Sequence, residues 1–118
     1  VTGACLGVTR TLWDRLGGLD EENLAVAYND IDLCLRAREA GLRVVLAPYA
    51  VLHHHESVSR GYDDDPVRRA RLADEVATME ERWGDLLRAD PAHSPNLALD
   101  GDGFTPAAEP RVSPPWRI

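Results

Sequence analysis

The stretch "NDIDLCLRAREAGLRVVLAP", residues 29–48, puts a helix directly before a strand-like run, and that order decides the fold expected of this chain. Asn29 is a good N-cap, Asp32 stands three residues later, Ile31, Cys34, Leu35 and Ala37 give an apolar face, and Gly41 is a stop. A helix is expected over 29–41. "RVVLAP" is then a β-branched apolar run closed by Pro48, and "YAVLHHH" a second apolar run, so two short strands or extended segments are expected to flank the proline. Upstream, "VTGACLGVTR" reads as a short buried strand, and "TLWDRLGGLDEEN" as a two-turn helix with Leu12, Trp13 and Leu16 at helical spacing and Gly17-Gly18 as its stop. Downstream, "ESVSRGYDDDP" has loop chemistry. From Asp65-Pro66 onward Leu72, Val76, Met79, Trp83 and Leu86 recur at helical steps, which predicts a long helix over 66–88. The remainder holds six of the eight prolines and is expected to be an extended tail ending in disorder.

The order strand, helix, helix, strand, strand, long helix is an incomplete α/β arrangement, with the missing strands expected from sequence upstream of Val1. Residues 1–90 are expected to form the folded part and 91–118 a Pro-rich tail. The chain begins without Met and without a signal layout, as a processed protein or a piece of a longer one would.

Composition excludes several functions. Among 118 residues the formal net charge is −7, and residues 61–118 carry 12 acidic side chains against 7 Arg. A nucleic-acid binder should instead present a basic patch, so no nucleic-acid partner is expected. No apolar run approaches the roughly 18 residues that cross a bilayer. Cys5 and Cys34 form no CxxC pattern and sit among apolar residues, which suits buried free thiols in a reducing, cytoplasmic setting.

Four groups of residues have chemical potential. Asp30 and Asp32 open the helix, where a carboxylate gains ~0.3–1 kcal/mol from the helix dipole without any other role, and Asp32 can pair with Arg36 one turn on. A catalytic base needs a carboxylate fixed at a cleft rim, and a helix start is such a position. His53-His54-His55 end an apolar run in which neighbours alternate, so either His54 alone or His53 with His55 faces one site, as a metal ligand or as a polar strand end. Gly3-Ala4 permits close approach of a ligand to the backbone. "SVSRGYDDDP" offers hydroxyls and an Arg suited to an anionic diphosphate or a sugar, or serves as a solvated connector.

In their order and spacing, "VTGACLGVTR", "GGLDEENLAVAYNDIDLCLRAREAGLRVVLAPYAVLHHHES", "SRGYDDDP" and "RWGDLLRADPAHSPNLALD" resemble the C-terminal half of a family 2 glycosyltransferase, over residues 1 to about 104. The tail resembles the bacterial subgroup that builds rhamnose-containing or other cell-surface polysaccharides. The resemblance implies a GT-A (nucleotide-diphospho-sugar transferase) fold, here an incomplete mixed sheet with flanking helices and a long C-terminal helix. Gly3 and Ala4 match the loop lining the acceptor side, and Asn29-Asp30 matches the family's Glu-Asp pair, which makes Asp30 the base of an inverting transfer. Asp32 matches a second acidic position, assigned to acceptor binding, and Arg36 the Arg a turn later, which implies for the pair a structural role or one supporting the base. His53 falls at an aromatic position, His54 at the metal-ligand position with His55 beside it, and Ser57, Ser59 and Arg60 in the loop that closes over the donor diphosphate.

Implied cofactor and partners are Mg²⁺ or Mn²⁺, a nucleotide-diphospho-sugar donor and a glycan acceptor, with the reaction in the cytoplasm or at the inner face of the membrane. Two departures stand out. Asn29 replaces the family's Glu, and the N-terminal nucleotide-binding half with its Asp-x-Asp motif is missing, so the isolated chain is expected to be inactive. The rival from another class is a noncatalytic assembly module that pairs, as a homodimer, through an exposed sheet edge. A third reading is a small metal-binding protein built on the histidines.

Overall fold

Thr9 begins the first regular element. Its extended backbone and its Oγ1, which accepts the Leu12 N–H at 3.3 Å, cap helix α1, Arg10–Leu16. In this computed structural model residues 3–54, 65–91, 93–99 and 104–111 are described. A single 3-10 turn, Gly3–Cys5, precedes α1. The helix ends as "GG" foretells: Gly17, at φ 78°, donates to the Asp14 carbonyl and Gly18, at φ 73°, to that of Trp13. A Cβ on Gly18 would stand 3.0 Å from the Trp13 indole, so this glycine is also a matter of space.

Between the helices, the Asp20 carboxylate accepts the backbone N–H groups of Glu22 and Asn23, turning the chain so that Leu24 is fully buried. Helix α2 spans Asn29–Glu39. It is preceded by Tyr28 at φ 63°, a left-handed conformation that strains a non-glycine residue by about 1 kcal/mol. Asn29 is therefore the first helical residue and not the cap. The buried side of α2 is also rotated from the expected one: Asp32, Leu33 and Ala37 are buried while Ile31 is exposed. The cause is the Asp32–Arg36 pair, which turns inward to bind α1. Helix α3, Pro66–Arg88, has the predicted bounds, with the Asp65 carboxylate accepting the Val67 N–H at its start.

The expected α/β fold is overturned. Among the described residues there is no β-strand, and so no mixed sheet of the GT-A kind; the regular structure is helical, with one isolated antiparallel bridge, Leu97–Pro106. "VTGACLGVTR" holds the 3-10 turn in place of a strand, and the "RVVLAP" and "YAVLHHH" runs lie as irregular chain through 42–54 with a turn at Pro48-Tyr49. The physical reason is the source of the hydrogen bonds. A helix pairs its own backbone, whereas a strand needs a neighbour, and among the described residues no strand pairs with these runs. Val45, Leu46, Tyr49, Val51 and Leu52 are accordingly exposed.

The chain divides into two units, Val1–Met79 and Glu80–Ile118. In the first, α1 packs on α2 and the core holds Leu24, Leu33, Ala37 and Met79. In the second, Trp83 is buried, and the proline-rich stretch doubles back on itself: Ala98 donates to Thr105 and Ala107 to Asn96, both at 2.8 Å. Arg111 holds that turn by donating to the carbonyls of Leu97 and Ser94. Cys5 and Cys34 are free thiols, as expected, though Cys5 is exposed and Cys34 only half-buried. No described helix is long and apolar enough to cross a membrane.

Candidate functional site

A cavity of about 700 Å³ opens at the start of α2, and its wall includes Gly3, Ala4, Trp13, Tyr28, Asp30 and His54. Four residues that the sequence singles out thus share one cavity, although they come from separate segments of the first unit. Asp30 is the best fixed of them. Its Oδ2 accepts the Gly3 backbone N–H, and its Oδ1 accepts the Ile31 N–H, a donor that a helix start otherwise leaves unpaired, at 2.8 Å. A Cβ at position 3 would lie 3.3 Å from Asp30 Cβ and Oδ2, which is why a glycine suits this close approach. A carboxylate has about four acceptor sites, so two bonds to the backbone leave capacity for a ligand hydroxyl.

Asp32 does something else. It is 0% exposed, lies outside the cavity wall, and accepts from Arg36 Nε at 2.7 Å. The other two nitrogens of that guanidinium donate to the carbonyls of Leu16 (2.6 Å) and Gly18 (2.8 Å), at the C-terminal end of α1. Its place in this structure is therefore in the joint between α1 and α2.

His53 and His54 are both exposed, and of the two His54 alone is part of the cavity wall. His55, Ser57, Ser59 and Arg60 lie outside the described residues. A hard divalent cation in a protein needs several oxygen or nitrogen ligands together. Among the described residues no group of three His, Cys, Asp or Glu side chains comes together, so the donor set seen here does not fit a metal site by itself.

Three residues of consequence were not singled out from the sequence. Trp13 and Tyr28 bring aromatic surface to the cavity, where spacing had marked Trp13 only as part of a helix face. Glu75 is the third: it is 1% exposed and accepts the backbone N–H groups of Val26 (2.8 Å) and Ala27 (3.2 Å). Its signal was available. It falls between Leu72 and Met79 on the apolar stripe of α3, and a charge on such a stripe has to have partners.

A second concavity, about 600 Å³ and mostly apolar, is walled by Cys5, Leu12, Leu16, Leu33, Cys34 and Val45 among others. It brings no carboxylate or imidazole to its wall.

Two known proteins are similar to the chain. It is 49% identical over all 118 residues to the uncharacterized protein y4gI of Sinorhizobium fredii, of which it spans 12%. It is 37% identical over 99 residues, 84% of its length, to the O-antigen biosynthesis protein RfbC of Myxococcus xanthus, of which it spans 7%. The chain thus corresponds to a small part of each of these relatives. No family model and no solved structure matches it.

Proposed function

We propose that this chain is the acceptor-side portion of an inverting glycosyltransferase of surface-polysaccharide synthesis, in which Asp30 is the base. One observation carries the reading: Asp30 stands at a cavity wall with its carboxylate held by the Gly3 N–H, and Ala4 and His54 line the same cavity. Similarity over 84% of the chain to an O-antigen biosynthesis protein supports the polysaccharide context.

In this reading an acceptor sugar hydroxyl donates to the free acceptor capacity of Asp30. As the hydroxyl oxygen attacks the anomeric carbon of the donor, its proton passes to Asp30 and the bond from that carbon to the diphosphate breaks, with inversion. Trp13 and Tyr28 offer apolar faces on which a sugar ring can rest. Donor recognition belongs to residues beyond those described, with Ser59 and Arg60 assigned to the diphosphate by resemblance alone. By resemblance, His54 would be a ligand for a divalent cation, Mg²⁺ or Mn²⁺, and no step is derived through the metal. The reaction belongs in the cytoplasm or at the inner face of the membrane, where nucleotide sugars are used.

The test uses the full-length protein that contains this chain. Asp30→Asn should lower turnover by about 10²–10⁴-fold, the usual range for a general base, while donor affinity stays within about twofold. Turnover near wild type would remove Asp30 as the base. His54→Ala should weaken donor binding more than His53→Ala, and equal effects would undo the choice between them.

A second reading, a noncatalytic assembly module, is favoured by the exposed apolar run from Val44 to Leu52. The sheet edge first expected to serve that role is absent among the described residues. Asp30→Asn would then leave the protein's function unchanged, and association would depend on the apolar run.

A further inference from the structure

We infer that Glu75 is a positioning residue for this site, acting from α3 through the backbone of Val26 and Ala27 to set Tyr28 and Asp30. The functional half of the inference rests on the transferase reading above, and its structural half does not.

Glu75 is 1% exposed, and a buried carboxylate is costly unless its oxygens are hydrogen-bonded. Its partners are far away in sequence. Oε1 accepts the Val26 N–H at 2.8 Å and Oε2 the Ala27 N–H at 3.2 Å, so one carboxylate clamps two successive peptide groups. Arg71 Nε, one turn earlier on α3, lies 3.9 Å from Oε2 and contributes charge at that range. Both amides belong to the first unit, as does Glu75.

What the clamp holds is the approach to α2. Tyr28, the next residue, adopts φ 63°, a conformation that surrounding structure has to impose on a side chain of this size. Its carbonyl then accepts the Asp32 N–H at 2.8 Å as α2 begins, and Asp30 is carried on that first turn. Val26, Tyr28 and Asp30 all contribute to the cavity wall. An apolar residue at position 75 would match the stripe of Leu72, Val76 and Met79 but leave two N–H groups without their acceptor. Glutamine would keep one acceptor oxygen and turn an NH₂ toward a donor. The geometry therefore calls for a carboxylate here, and the peptide groups it fixes lead directly into Tyr28 and Asp30 of the cavity wall.

The experiment combines hydrogen–deuterium exchange and kinetics on the full-length protein, with Glu75→Gln, Glu75→Asp and the stripe neighbour Val76→Ala. Glu75→Gln should speed exchange about tenfold or more in the peptides that cover residues 24–31, with α1 unchanged, whereas Val76→Ala should not act locally there. It should also lower kcat by about 10²-fold, the scale of a small misplacement of a reacting group, with the donor KM within about twofold. Should Glu75→Gln fail to fold, Glu75→Asp, one methylene shorter, is read in the same way. Unchanged exchange at 24–31, or loss of protection spread equally over α1, overturns the inference, as does an unchanged kcat alongside an inactive Asp30→Asn. If Asp30→Asn keeps its activity, the transferase reading falls alone, and the exchange data still decide whether Glu75 holds this turn.

Discussion

Arg36 fixes how α1 meets α2. Its guanidinium donates to the Asp32 carboxylate and to the carbonyls of Leu16 and Gly18, so its planar fork satisfies three acceptors of which one is a fully buried charge. Truncating one member of a buried pair strands the other and costs ~3–5 kcal/mol; with Arg36 itself 23% exposed, the low end of that range applies. Arg36→Ala should therefore lower stability by about 3 kcal/mol in urea titration, and Arg36→Lys should recover only part, because an ammonium cannot reproduce the fork. A loss below about 1 kcal/mol would mean that water replaces these bonds easily. At this scale the sequence separated the two acids of α2 in part. Helix-start electrostatics accounted for both, and Arg36 at four residues' distance marked Asp32 as its partner. That the pair points inward, and that Asp30 meets Gly3, are long-range facts which no local pattern contains. Glu75 was open to inference as a charge on an apolar stripe, but its partners, 48 and 49 residues away, were not.

For whole elements, the helices were legible and the strands were not. Helix α1 follows from Leu12, Trp13 and Leu16 at helical spacing with two glycines after them, and α3 from a Pro start and a stripe of five apolar residues; both are signals carried within or beside the element itself. The stop of α1 gives a direct test. Gly18 sits at φ 73° and its Cβ position is 3.0 Å from the Trp13 ring. Gly18→Ala combines left-handed strain of ~1 kcal/mol with displacement of that indole, and should cost about 2 kcal/mol or more, measured by thermal unfolding. Gly17→Ala, at φ 78° with open space around it, should cost only the strain. Equal effects would show that the Trp13 contact contributes nothing. The runs "RVVLAP" and "YAVLHHH" have strand composition, but composition states only what a segment would do beside a partner strand. A β-ladder is a property of two paired segments, and among the described residues these runs pair with none.

The molecule as a whole carries the consequence of those unpartnered runs. Leu46 and Val51 are each 82% exposed and Tyr49 97%, so a contiguous stretch of large apolar side chains faces water. Soluble monomers rarely keep such a patch uncovered. The chain spans 12% and 7% of the two relatives it is similar to. Since these side chains are exposed, they add little to the stability of the chain itself, and a surface substitution of this kind usually changes it by no more than ~0.5 kcal/mol. Leu46→Ser with Val51→Ser should leave the unfolding midpoint of the 118-residue chain almost unmoved. The same pair should abolish concentration-dependent association of that chain, followed by light scattering, because the area removed is the area that drives it. A drop of several kcal/mol would show instead that the run is buried in the isolated chain. Wild-type chain that stays monomeric at high concentration would remove self-association through this face, and with it the homodimeric assembly-module reading.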